Sequence, residues 1–137
     1  MSEEELLDVE IKEDFDIVKA RARARVLAET LGFEVVDQTR IATAVSEIAR
    51  NALIHGGGGK MTLRTLNQKK GLEIVIVDQG PGIPDINQAM KDGYSTVGAL
   101  GLGLGGAKRL MDQFHIESSN VGTKVTMMKW LSGRLRR

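Results

Sequence analysis

The sequence predicts an α+β fold, a two-layer α/β sandwich with helices on one face of a mixed sheet. Two helical segments follow one another early in the chain and strand pairs come after them. This order favours helices on one side of a sheet over a doubly wound parallel fold. The 137 residues contain no internal repeat and suffice for one hydrophobic core. We therefore expect one domain over residues 1–131 and a basic, disordered tail over 132–137.

The first predicted elements are a strand and a long helix. Apolar residues alternate over 7–11, which predicts an edge strand. A helix follows, capped at Asp14 or Asp16 and rich in Ala and Arg up to Leu31. Gly32 stands where a left-handed helix terminator belongs. The arginines of this helix, which form either a basic recognition face or an ordinary solvated surface, are Arg21, Arg23 and Arg25.

A second helix is predicted from about Asp37 to His55, where Gly56–Gly59 stops it. Its apolar face recurs at three- and four-residue spacing and consists of Ile41, Val45, Ile48 and Ala52. A polar edge about 100° round the helix consists of Glu47, Asn51 and His55. Because polar residues normally border an apolar stripe, this edge is either a solvated flank or the side of a cleft.

Strands and a glycine-rich loop dominate the rest of the chain. Alternation predicts a hairpin of strands over 60–67 and 72–78. Residues 79–106 hold two prolines and eight glycines, too many for a packed element and typical of a ligand loop or lid. The last predicted elements are a helix over 107–114 and a closing hairpin over 115–119 and 123–130.

Composition excludes several classes of function. Nineteen basic and eighteen acidic residues leave a net charge of +1, which gives no reason to propose a nucleic-acid partner. The absence of cysteine excludes disulfides, thiol catalysis and cysteine metal sites. The acidic N-terminus does not look like a signal peptide, and no apolar run approaches the roughly 20 residues that span a bilayer. We expect a cytoplasmic protein without a membrane partner.

The segment Asp78-Gln79-Gly80-Pro81-Gly82 directly follows a predicted strand. Such a strand holds its terminal carboxylate at a fixed point, and Gly80 and Gly82 let the backbone approach a ligand. The carboxylate suits an amine, of which the adenine amine is the commonest candidate, in a hydrogen bond worth roughly 1.5–3 kcal/mol. Taken alone, the segment is better explained as a strand that ends in a Pro-Gly turn.

A second glycine-rich segment, Gly101–Gly106, precedes the helix predicted to begin near Ala107. Exposed amides at a helix N-terminus carry partial positive charge and favour phosphate. The dinucleotide fingerprint does not apply, because a polar glycine-rich stretch stands where that motif needs a strand. The other common phosphate loop needs Gly-Lys-Ser or Gly-Lys-Thr, and neither occurs. A phosphate cradle of a different type remains.

Three patterns thus occur in order: Glu47-x-x-x-Asn51, Asp78-x-Gly80-x-Gly82 and Gly101-x-Gly103-x-Gly105, with Gly122-Thr123 beyond. Together they resemble the GHKL ATP-binding fold of gyrase-type ATPases, Hsp90, MutL and sensor histidine kinases. Small stand-alone versions are the serine protein kinases and anti-sigma factors of bacterial partner-switching systems. The segments that are similar to the stressosome switch kinases of that group are Asp78–Ile86, Asp92–Thr96 and Lys108–Phe114.

The resemblance implies a role for each matching residue. Glu47 would be the general base, and Asn51 would ligate Mg²⁺. Asp78 would accept from the adenine amine, while Thr123 would contact the base through Asp78 or water. The backbone of Gly80 and Gly82 would approach the base. The phosphates would be held by the backbone amides of Gly101, Gly103 and Gly105. The lid would span 92–100. Two explanations remain for three further residues. Either His55, Lys108 and Arg109 touch a phosphate, or His55 is an ordinary helix end and the other two lie on a solvated surface.

The function that the resemblance implies is an ATP-dependent protein-serine kinase with Mg²⁺ as its metal. Its substrates would be STAS-domain antagonist and scaffold proteins, and the released kinase would activate a PP2C-type phosphatase or a similar output protein. The alternative is an anti-sigma factor that sequesters a sigma factor and phosphorylates an anti-anti-sigma factor. Residues 51–56 look closer to that branch, whereas the short lid favours the switch kinases. Nucleotide-gated binding without transfer is a third possibility.

Overall fold

The computed structural model describes residues 6–83 and 103–131. Three of the features predicted above lie outside these residues: Gly101, the lid over 92–100, and the tail over 132–137. The elements are β1 (Leu6–Ile11), α1 (Asp14–Leu31), α2 (Val35–Ile54), β2 (Gly59–Leu66), β3 (Gly71–Asp78), α3 (Leu104–Leu110), β4 (Gln113–Ser119) and β5 (Gly122–Trp130).

The described strands form one five-stranded sheet in the order β1-β2-β3-β5-β4. Each pairing between these strands is antiparallel, so the expectation of a mixed sheet is wrong. Strands β3 and β4 do run in the same direction, but β5 lies between them and pairs with both. The strand β1 is an edge of the sheet, as predicted. The predicted two-layer α+β class is confirmed, because the three described helices pack on this sheet.

The helix α1 begins and ends close to its predicted bounds. Its N-cap is Glu13 rather than Asp14 or Asp16. The carboxylate of Asp16 instead accepts hydrogen bonds from the backbone N–H groups of Lys12 and Glu13, over 2.8 and 3.1 Å. These bonds lower the pKa of Asp16 below its ordinary value, with the Lys12 amide as the main cause. At the other end, Gly32 adopts the left-handed conformation that terminates the helix.

The helix α2 is the central element of the helical layer and contacts α1, α3 and four of the strands. Its predicted apolar face is buried: Ile41, Val45, Ile48 and Ala52 are each at most 2% exposed. Across from it, alternate residues of the sheet complete the core, including Leu63, Ile74 and Met127. Among the described residues, no helix is both long and apolar enough to cross a membrane.

The helix α3 lies earlier in the chain than predicted. It spans Leu104–Leu110, not 107–114, and it starts inside the glycine-rich segment. Leu104 and Ala107 are fully buried and anchor this start. The helix ends early because the chain pairs with β5 from Asp112 onward. The Asp112 N–H donates to the Met128 carbonyl over 3.0 Å. The apolar spacing of 107–114 therefore spans a helix end and the beginning of β4.

Candidate nucleotide-binding site

A pocket lies between the C-terminal half of α2, the end of β3, the start of β5 and the first residue of α3. Its polar lining consists of Asn51, His55, Asp78 and Thr123. Its apolar walls consist of Ile48, Ala52, Ile76, Ile83, Leu104 and Val125, and Gly82 also lines it. The fold thus brings four predicted site residues, Asn51, Asp78, Gly82 and Thr123, into one pocket. A largely apolar slot with a few polar groups is the kind of site that a flat heterocycle fits.

The carboxylate of Asp78 is held in one orientation. Its Oδ1 atom accepts a hydrogen bond from the Gly80 backbone N–H over 2.9 Å. The side chain also packs directly against Gly56, where an added Cβ would overlap with it. The predicted Gly80 therefore orients Asp78, and the first glycine of the 56–59 run gives the carboxylate its space.

The loop after Asp78 crosses the end of β4 at Gly82. The backbone of Gly82 has φ +85°, in the left-handed region that favours glycine. An added Cβ there would collide with the carbonyl oxygen of Ser119. A residue other than glycine would push the loop, and with it Ile83, away from the pocket.

Thr123 stands directly opposite Asp78 in the register between β3 and β5. It is only 9% exposed. Its hydroxyl oxygen lies 2.8 Å from that of Ser118, which in turn accepts from the backbone N–H of Ile83 over 2.7 Å. Asp78 and Thr123 therefore present an oriented carboxylate and an oriented hydroxyl from adjacent strands.

Glu47 lies one helical turn before Asn51, outside the lining of the pocket and next to the glycine-rich segment. A Cβ on Gly103 would overlap with the Oε1 atom of Glu47. Its Oε2 atom lies 3.5 Å from Nη1 of Arg50, and the side chain is 39% exposed. Gly103 is the N-cap of α3, with φ +65°, and Gly105 is buried in the first turn. The helix α2 thus presents Asn51 to the pocket and Glu47 to the start of α3.

The three residues with two possible roles are His55, Lys108 and Arg109, and they lie at the margin of the pocket or outside it. His55 is the C-cap of α2 and lines the pocket, and its backbone N–H donates to the Asn51 carbonyl over 2.9 Å. Lys108 and Arg109 are exposed in the last turn of α3. They do not line the pocket.

Sequence reasoning missed two parts of the site. The apolar walls had a usable signal, because Ile76 and Val125 stand two residues from Asp78 and Thr123 on the same strand faces. Ser118 had none, since its partner Ile83 lies 35 residues away in the chain.

Comparisons with known proteins place this fold and site in a family. The model of the histidine kinase-like ATPase domain matches residues 12–129, and the chain belongs to that family. Membership confirms the GHKL-type fold and implies that ATP is the substrate.

Within the family, the chain is 50% identical over 126 residues to the serine/threonine-protein kinase RsbT of Bacillus subtilis (strain 168). That alignment covers 90% of this chain and 95% of the relative. The anti-sigma F factor of Clostridium acetobutylicum is 35% identical over 124 residues, covering 85% and 84% of the two chains. The RsbT relative confirms the predicted enzyme class, a protein-serine/threonine kinase. Together the two kinds of relative support a kinase of the partner-switching type.

Solved structures agree on the fold. The RsbU and RsbW domains of a Mycobacterium tuberculosis protein match with a TM-score of 0.66 at 20% identity, covering 93% of this chain and 32% of that one. The catalytic domain of the histidine kinase ThkA matches with a TM-score of 0.55 at 14% identity, covering 92% and 95%.

Proposed function

We propose that this protein is a cytoplasmic switch kinase that transfers the γ-phosphoryl group of ATP to serine or threonine on a STAS-domain antagonist or scaffold protein. When released from that partner, it binds and activates a PP2C-type phosphatase or a similar output protein. The proposal is supported by the 50% identity to RsbT over nearly the full length of both chains. The partner classes come from the resemblance to stressosome switch kinases.

The observation that carries the proposed chemistry is the arrangement of α2 between the pocket and α3. Asn51 faces the pocket that holds Asp78 and Thr123, while Glu47 reaches Gly103 one turn earlier. A nucleotide with its base at Asp78 extends its phosphates past Asn51 towards Glu47. Because the Glu47 side chain is 39% exposed, a serine hydroxyl on another protein can reach it. In this role Glu47 orients the hydroxyl and accepts its proton.

The residues beside the proposed phosphate position fit a magnesium ion that arrives with ATP. Asn51 offers an amide oxygen, and oxygen is the type of donor that Mg²⁺ requires. Over residues 6–83 and 103–131, no group of three or more His, Cys, Asp or Glu side chains forms a metal site by itself. Mg²⁺ is commonly bound by one or two protein oxygens together with substrate phosphates and water. Asn51 would hold the ion, which would neutralise charge on the phosphates during transfer.

The direct test is phosphotransfer. The purified chain is mixed with Mg-ATP and a folded cognate STAS-domain protein, and the product is examined for phosphoserine or phosphothreonine by mass spectrometry. The expected result is one modified hydroxyl residue on the partner, lost when Glu47→Gln replaces the wild type. No phosphate on a folded partner that binds the kinase contradicts the proposal.

The second candidate is an anti-sigma factor of the same fold. It is favoured by the 35% identity to an anti-sigma F factor over 85% of this chain. Such a protein sequesters a sigma factor and phosphorylates an anti-anti-sigma factor. Affinity capture from the native organism separates the two, because a sigma factor in the eluate supports the second candidate and a STAS scaffold supports the first.

A further inference from the structure

Ser118 lies outside the predicted site but contacts two residues that line the pocket. Its hydroxyl oxygen accepts from the Ile83 backbone N–H over 2.7 Å. The same oxygen lies 2.8 Å from the Thr123 hydroxyl oxygen, and either hydroxyl can donate to the other. Ile83 and Thr123 both line the pocket. One side chain therefore joins the loop after β3 to the strand β5.

The packing around Ser118 leaves this contact little freedom. A Cβ on Gly82 would lie 3.0 Å from the Ser118 hydroxyl oxygen, so the loop backbone rests directly on it. Thr123 is 9% exposed and Ser118 is half-buried. Partly buried hydroxyls with short contacts on two sides are held in one rotamer by those contacts.

The direction of the Ser118–Thr123 hydrogen bond determines what Thr123 offers a ligand. A hydroxyl has one proton to donate and two lone pairs that accept. Ser118 already accepts from Ile83, and its own proton remains for donation. If Ser118 donates to Thr123, the Thr123 proton is available to the pocket. If Thr123 donates to Ser118, it shows the pocket only lone pairs.

We propose that Ser118 is a positioning residue for base selection, which presents Thr123 as a hydrogen-bond donor beside the acceptor Asp78. These two residues face each other across β3 and β5. Adenine carries an amine donor next to a ring-nitrogen acceptor. This order matches the acceptor Asp78 and the neighbouring donor Thr123. Hypoxanthine carries a carbonyl acceptor next to an N–H donor, the reverse order. This inference rests on the proposed placement of the base at Asp78.

The test compares the affinities of the full chain for ATP and inosine triphosphate (ITP), which differ at this base edge, by titration calorimetry. Ser118→Ala is expected to weaken ATP binding about 3- to 10-fold, the value of one neutral hydrogen bond, and to weaken ITP binding less than twofold. The ratio of ATP affinity to ITP affinity is then expected to fall by most of the factor by which ATP binding weakens. Ser118→Thr keeps the hydroxyl and is expected to retain the preference. Ser119→Ala is the matched control, because its exposed hydroxyl accepts from Val121 over 3.3 Å and does not contact Thr123.

A second variant keeps the test decisive if Ser118→Ala does not fold. Ser118→Cys retains the shape of the side chain but replaces the hydroxyl with a weak donor, and it is expected to lose most of the same preference. Equal weakening of ATP and ITP by Ser118→Ala, or an unchanged preference in either variant, overturns the inference.

Failure of the base placement itself gives a different result. In that case the wild-type chain binds ATP and ITP equally, and Asp78→Asn leaves their ratio unchanged. A wild-type preference that Asp78→Asn abolishes but Ser118→Ala leaves intact rejects the role of Ser118 alone.

Discussion

The carboxylate of Glu47 occupies the space that a side chain at Gly103 would need. Its Oε1 atom overlaps with the position of a Cβ on Gly103, and Gly103 has φ +65° as the N-cap of α3. The absence of a side chain at position 103 therefore allows the proposed general base to reach the glycine-rich segment. Each end of this contact can be altered separately.

We expect Gly103→Ala to reduce phosphotransfer at least tenfold. The new methyl group displaces Glu47, and the left-handed backbone costs roughly 1–2 kcal/mol for a residue with a Cβ. Transfer rates at saturating ATP and thermal unfolding measure the two effects. The matched control is Gly106→Ala, because a Cβ on Gly106 meets no atom within 4 Å and its φ is not left-handed. Equal loss of transfer in both variants would show that the contact with Glu47 is irrelevant.

We expect Glu47→Gln to abolish phosphotransfer while ATP affinity changes less than about threefold. The amide keeps the size of the side chain but cannot accept a proton, and Glu47 lies outside the pocket lining. Single-turnover transfer and calorimetric ATP binding measure the two quantities. Arg50→Ala serves as the control, since it removes the partner 3.5 Å from Glu47 and keeps the carboxylate. A variant that transfers phosphate normally would exclude Glu47 as the base.

The parts of the fold that the sequence predicted depend on local patterns. The buried face of α2 and its polar edge follow from a spacing of three and four residues, and Asp78 follows from its place at a strand end. The bounds of α3 and the position of β5 between β3 and β4 do not depend on local patterns. They depend on contacts between distant segments, such as the bond from Asp112 to Met128. Spacing along one segment does not report such contacts.

Lys129 is a buried cation that connects three elements. Its Nζ donates to the Leu110 carbonyl over 2.9 Å and lies 3.7 and 3.6 Å from carboxylate oxygens of Asp37 and Asp112. The side chain is 9% exposed. We expect Lys129→Met to lower the free energy of unfolding by about 1–3 kcal/mol, because the Leu110 carbonyl loses its donor and Asp112 loses this cation, whereas Asp37 keeps Arg40 at 3.0 Å. Urea denaturation measures this change. Lys124→Met, at an exposed position of the same strand, is expected to change it by less than about 0.5 kcal/mol.

Gly56 gives the Asp78 carboxylate its space, and we expect Gly56→Ala to weaken ATP binding about tenfold or more. The new methyl group overlaps with the Asp78 side chain, so the carboxylate turns away from the pocket. The expected loss corresponds to one charge-assisted hydrogen bond, roughly 1.5–3 kcal/mol.

A double-mutant cycle shows whether this loss acts through Asp78. Calorimetric ATP affinities are compared for Gly56→Ala, Asp78→Asn and the double variant, with the fold checked by circular dichroism. Because both substitutions remove the same hydrogen bond, the double variant is expected to bind no more weakly than Asp78→Asn alone. Losses that add in full would mean that Gly56 affects the nucleotide by a route independent of Asp78, and that the close packing of these two residues does not orient the carboxylate for ATP.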